Sequence, residues 1–145
     1  MGYDAPYGTG DRRAVIGLTV TPALWGGGVP STTIDGSEDN DGYFSNPIMQ
    51  NVETWMKYDF ATPIIITEIT WTQSNTATHG TWKLQGSTNN IDWVDVGDSF
   101  TLGGATTQVI TEPSGNVTPY RYYRLLGVTG QPSPSPNLRE IKFSW

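Results

Sequence analysis

The stretch Gly80-Thr81-Trp82-Lys83-Leu84-Gln85-Gly86-Ser87-Thr88-Asn89-Asn90-Ile91-Asp92-Trp93 constrains the fold more than any other part of the chain. Trp82 and Leu84 fall on one face of an extended segment, and Lys83 and Gln85 fall on the other. That period of two is the pattern of a half-buried strand. Gly86-Ser87-Thr88-Asn89-Asn90 supplies residues that tolerate turn geometry, and Trp93-Val94-Asp95-Val96 starts a second strand. A hairpin with a tryptophan on each arm predicts an all-β domain.

The rest of the composition agrees. Seventeen Gly and ten Pro in 145 residues leave little room for long helices, because both are unfavourable inside one. Six Trp and seven Tyr against 15% charged residues provide for an aromatic core in a single domain. The absence of cysteine excludes a disulfide framework and any thiolate metal site. A net charge of −6 argues against phosphate-driven binding of nucleic acid and against attraction to an anionic membrane. No apolar run approaches the roughly 18 residues of a transmembrane helix, so no membrane insertion is expected. Residues 1–10 lack the basic and then apolar regions of a signal peptide. The expectation is an excised module, or a complete protein that leaves its cell other than by cleaved secretion.

Residues 1–11 read as a flexible, Gly-rich arm, and residues 12–145 as one β-sandwich. Strands are predicted over 14–20, 55–60, 64–73, the hairpin 81–96, 99–102, 107–111, 120–128 and 138–145. Trp25 falls in a glycine loop, and 31–51 is irregular and acidic. Trp55, Trp71, Trp82, Trp93, Tyr122 and Trp145 lie in strand patterns and are expected in the core. Arg121 and Arg124 are expected to pair internally. About eight antiparallel strands at this spacing make a sandwich.

Several motifs occur in an order that resembles the discoidin family. This family includes the coagulation-factor C-type domains and the galactose-binding-like carbohydrate-binding modules. The motifs are Ile34-Asp35-Gly36-Ser37, Tyr58-Asp59-Phe60 with Pro63 and Ile64 to Ile69, the Trp82–Trp93 hairpin, Tyr120 to Leu125, and Leu138 to Phe143. The resemblance covers roughly residues 14–145 and implies an eight-stranded jelly roll that binds and does not catalyse. Fold alone does not fix the ligand.

Asp35, Glu38, Asp39 and Asp41 place four carboxylates within seven residues. Oxygen ligands from one loop suit Ca²⁺. An EF-hand does not fit, because aligning Asp39, Asp41 and Gly42 to its loop puts Ile48 where the bidentate Glu belongs. The resemblance implies instead a structural calcium held by the Asp35 side chain, carbonyls near Ser37, Asn40, and Glu140 at the start of the last strand. Asn40 stands where Thr is usual in the family. The alternative is a solvated acidic loop.

No catalytic set is legible. His79 is the chain's only histidine, in a polar stretch that predicts a surface position, and nothing marks one Ser as activated. Sugars are held by aromatic faces and planar polar groups, so the candidate contacts are loop aromatics beside Asn, Gln or His. Trp25, Tyr43, Phe44, Gln73, Asn75 and His79 qualify. Tyr43 and Phe44 could equally plug one end of the sandwich. The His and Arg that grip galactose in relatives are replaced near Phe44 or Ser45 and at Gln73 to Asn75, so galactose specificity does not carry over.

The expected function is a carbohydrate-binding adhesion module that attaches a phage particle or a bacterial surface protein to polysaccharide. Its place would be extracellular or on the virion surface. Two alternatives stand beside it. One is a structural virion protein that docks other virion subunits through residues 1–11. The other is an accessory module of a carbohydrate-active enzyme.

Overall fold

The computed structural model describes residues 9–21, 25–27, 29–39, 42–44, 55–130 and 137–145, with the backbone alone at 25–27, 42–44 and 137. The first strands are β1 (Gly17–Val20), β2 (Trp25–Gly27), β3 (Gly42–Phe44), β4 (Trp55–Ile64), β5 (Glu68–Thr72) and β6 (Thr78–Ser87). Then come β7 (Val94–Asp95), β8 (Phe100–Gly103), β9 (Thr107–Ile110), β10 (Tyr120–Thr129), β11 (Asn137–Leu138) and β12 (Glu140–Ser144). The only helical pieces among the described residues are the 3₁₀ turns Pro30–Ile34 and Glu112–Gly115. None of these is long and apolar enough to cross a membrane.

The larger sheet runs β1-β4-β10-β6-β7, with β8 also on β6, and all its pairings are antiparallel. A second sheet, β12-β5-β9, packs against it. Alternation explains why. Met56, Tyr58 and Phe60 of β4, Trp82 and Leu84 of β6, and Tyr123 and Leu125 of β10 face inward. Ile69, Trp71, Ile110, Ile141 and Phe143 come from the second sheet to meet them. The Phe143 ring stands edge-on to Tyr58 at 4.9 Å and to Phe60 at 5.2 Å, the offset geometry that aromatic quadrupoles favour. The result is the all-β, antiparallel sandwich that the sequence predicts.

Several local expectations need correcting. The first strand begins at Gly17, not 14, because residues 13–15 turn. β4 runs past residue 60 to Ile64 by way of an irregularity in which Ala61 takes φ 64°. Its register against β10 jumps from Asp59–Tyr122 to Ile64–Tyr120, and Pro63 is tolerated in that break. The expected strand 64–73 is therefore split at 65–67. Trp55 and Tyr122 are not core residues. They share a parity with Lys57, Asp59 and Arg124, and the opposite parity supplies the buried rings. Trp93 is half-buried, with its ring beneath Arg124 rather than in the core.

Candidate functional site

The Asp35 turn is fastened to the last strand by charge. Arg12 and Glu140 are both fully buried, and an Arg12 Nη pairs with Glu140 Oε2. The other Arg12 Nη donates to the Ile141 carbonyl at 2.7 Å, and its Nε donates to the Gly10 carbonyl at 3.0 Å. The Gly36 amide also donates to Glu140 Oε2, at 3.1 Å. Burial pushes the Glu140 carboxyl above its ordinary range, and contact with Arg12 pulls it back. Glu140 Oε1 accepts no hydrogen bond among the described residues. The Asp35 Oδ1 atom accepts from the Ser37 amide at 2.8 Å, and Asn40 lies outside the described residues.

The expected calcium donors Asp35, Ser37 and Glu140 are linked through the Gly36 and Ser37 amides, and the described residues hold no group of three or more acidic or imidazole side chains placed for a metal. An orphaned buried carboxylate oxygen suits a cation there, and Arg12 already supplies one positive charge. Sequence reasoning missed Arg12. Two consecutive arginines before a strand carry no signal that one of them is buried.

The turn after β5 is held by the two most deeply set indoles. Trp71 Nε1 donates to Gln73 Oε1 at 2.7 Å, and Gln73 Nε2 donates to the carbonyls of Asn75 (3.0 Å) and Ala77 (2.8 Å). Asn75 Oδ1 accepts from the Ala77 amide at 2.8 Å. Trp82 Nε1 donates to the His79 carbonyl at 2.7 Å. Two candidates consequently change role. Gln73 is 2% exposed and braces the turn instead of reaching a ligand. His79 is 0% exposed, in β6, with its ring tilted against Trp71 at 5.8 Å. Its predicted surface position is wrong because the polar stretch ends at residue 77 and β6 starts at Thr78. Ser74, Asn75 and Thr76 form the accessible tip.

Trp25, Tyr43 and Phe44 were expected in loops, but their backbones form a third small sheet, β11-β3-β2. Trp25 lies opposite Phe44, and Tyr43 lies between Gly27 and Asn137. The Arg139 amide donates to the Thr72 carbonyl at 2.8 Å, so the end of β11 sits beside the start of the Gln73 turn. The candidate aromatics and the turn therefore occupy the same end of the sandwich. The side chains of Trp25, Tyr43 and Phe44 lie outside the described residues.

No family model and no curated protein sequence matches the chain. Solved structures do match. A family 32 carbohydrate-binding module from Clostridium perfringens (CpGH89CBM32-5), in complex with GalNAc-β-1,3-galactose, superimposes with a TM-score of 0.72 at 10% identity. That match covers 92% of this chain and 97% of that one. The family 32 module of AlyQ, in complex with 4,5-unsaturated mannuronic acid, gives 0.68 at 17% identity, over 99% and 98% of the two chains. A module from a family 31 glycoside hydrolase of Clostridium perfringens gives 0.66 at 10% identity, over 90% and 94%. At these identities the likeness shows the fold, and the chain has the discoidin-type, galactose-binding-like fold of the family 32 carbohydrate-binding modules.

Proposed function

We propose that this chain is a non-catalytic carbohydrate-binding module. The observation that carries the reading is the match over nearly the whole length of modules whose structures hold sugars. The end of the sandwich that gathers Trp25, Tyr43, Phe44 and the Ser74–Thr76 tip is the proposed contact surface. The chain's one histidine is locked in the core, which favours binding over acid–base chemistry. A glycan array probed with the soluble protein tests the reading, and an array silent for every glycan removes it.

The setting is part of the proposal. Attachment of a phage particle or a bacterial surface protein to polysaccharide would place the module outside the cell. An accessory module of a carbohydrate-active enzyme is the second reading, favoured by the similarity to a module from a glycoside hydrolase. Subunit docking through residues 1–11 rests on a segment of which residues 1–8 lie outside the described ones.

A structural Ca²⁺ completes the proposal. Glu140, Asp35, Ser37 and Asn40 would hold it, and the orphaned Glu140 Oε1 is the support. The ion would supply no chemistry beyond tying the acidic turn to β12.

A further inference from the structure

We propose that the outward face of the large sheet is a second glycan site, built for the carboxylate of an acidic polysaccharide. This rests on the carbohydrate-binding reading above and adds a place and a ligand class to it.

The face is the polar parity of β4, β10 and β6. Lys57 lies directly opposite Arg124, which lies directly opposite Gln85. Neighbours in such register have Cβ atoms about 4.5–5.5 Å apart, and like charges so placed repel. Here both cations converge on one ring. The Arg124 guanidinium carbon is 4.4 Å from the Trp93 centroid, and Lys57 Nζ is 6.0 Å from it and 4.7 Å from that of Trp55.

Five of the other cations pair with carboxylates. Arg12 pairs with Glu140, Arg13 with Asp11, Lys83 with Asp95, Arg121 with Asp59, and Lys142 with Glu38. Among the described residues, Lys57 and Arg124 have no carboxylate partner. Arg124 Nε donates to Gln85 Oε1 at 2.8 Å, which fixes the plane of the guanidinium and leaves its two Nη groups for an external acceptor. In a chain of net charge −6, two adjacent cations on aromatic supports, without a carboxylate partner among the described residues, suit an anionic ligand. A planar carboxylate matches the guanidinium fork, and the ammonium adds a second charge.

The same face is hollowed beside Lys57. A recess of about 300 Å³ is lined by Gly17, Thr19, Lys57, Asp59, Asn90 and Tyr122. That volume is at the lower end of the roughly 300–1,000 Å³ usual for ligand sites. Asn90 is held over it by the hairpin turn, where Ser87 Oγ accepts from the Asn90 amide at 2.9 Å and φ is 62°, a conformation asparagine tolerates. A sugar whose carboxylate meets Lys57 and Arg124 has the Thr19 hydroxyl and the Asn90 amide beside it for its own hydroxyls.

The test is calorimetric titration of the full chain with sodium polygalacturonate and with its carboxyl-reduced, neutral counterpart. The wild type should bind the acidic polymer, more weakly as salt shortens the screening length toward about 8 Å. Arg124→Gln and Lys57→Gln should each weaken that binding about tenfold, the effect of losing one charge-assisted contact. Their melting temperatures and any binding of neutral glycans should be unchanged. Trp93→Ala should weaken binding of the acidic polymer as well, and the indole resonances of Trp55 and Trp93 should shift on titration while those of Trp71 and Trp82 stay put. Acidic-polymer affinity that survives the Lys57→Gln/Arg124→Gln double variant overturns the inference. So does equal affinity for the carboxyl-reduced polymer. An array that binds neutral glycans only sinks this site alone, whereas one silent for all glycans sinks the carbohydrate reading with it.

Discussion

Arg12 and Glu140, separated by 128 positions in the chain, form an ion pair with both side chains fully buried. The pair joins the residues before β1 to the first residue of β12 and orients the Gly36 amide between them. A charge taken from water is tolerable only with a partner and further hydrogen bonds, and Arg12 has both.

Arg12→Met should therefore destabilise the domain by about 3–5 kcal/mol, because it leaves Glu140 buried without a counter-charge. Arg12→Met/Glu140→Gln removes both charges and should recover much of the loss. Urea denaturation of the wild type, Arg12→Met, Glu140→Gln and the double variant checks this. A double variant weaker than either single variant by a full sum would mean that the two residues act independently.

Calcium should raise the melting temperature, since a ligand bound only by the folded state stabilises it by RT ln(1 + [L]/Kd). Glu140→Gln should abolish the shift and Asp35→Asn should weaken it. The effect should be larger in Arg12→Met, where the carboxylate has lost its resident cation. Identical melting in millimolar calcium and in EDTA would remove the ion from the proposal.

Gly36 is required for a geometric reason. Its φ is +86°, and a Cβ there would lie 2.5 Å from the carbonyl carbon of Gly10. Gly36→Ala should lose more than the roughly 1–2 kcal/mol of a left-handed alanine, because the Gly10–Arg12 segment must also move. Gly104 has φ +84° but its nearest neighbour is 4.0 Å away, so Gly104→Ala should lose only the conformational part. Equal losses at the two positions, read by thermal melting, would contradict the contact.

The sandwich was legible because alternation survives over 55–60 of β4, 82–84 of β6 and 122–128 of β10. What alternation does not mark is which parity faces in when both parities are aromatic. Trp55 and Tyr122 sit on strands that also carry rings at Tyr58, Phe60 and Tyr123, and only packing decides between them. The order of motifs put the Asp35 turn near Glu140, as the bond from the Gly36 amide does, although nothing local pointed to Arg12 as the partner of Glu140. Gln73 and His79 were misread for the opposite reason. Polar groups dense in sequence suggest a ligand surface, but here the Trp71 indole takes the Gln73 oxygen and the His79 ring is buried against Trp71.

Gln73 offers the sharpest separation of bracing from binding. Gln73→Ala leaves the Trp71 indole N–H buried without its acceptor, which costs about 1–3 kcal/mol. It also removes the two donors that hold the Asn75 and Ala77 carbonyls, so the Ser74–Thr76 tip should lose its shape. Glycan affinity at that end should fall along with stability. Combining it with Trp71→Phe removes the stranded donor, so part of the stability should return while the slack turn keeps affinity low. Asn75→Ala should show the reverse balance, with a smaller stability loss and a larger affinity loss, if the tip touches sugar. Melting and glycan titration on the same four proteins decide the matter. Affinity that tracks stability in all of them would make the turn a brace and nothing more.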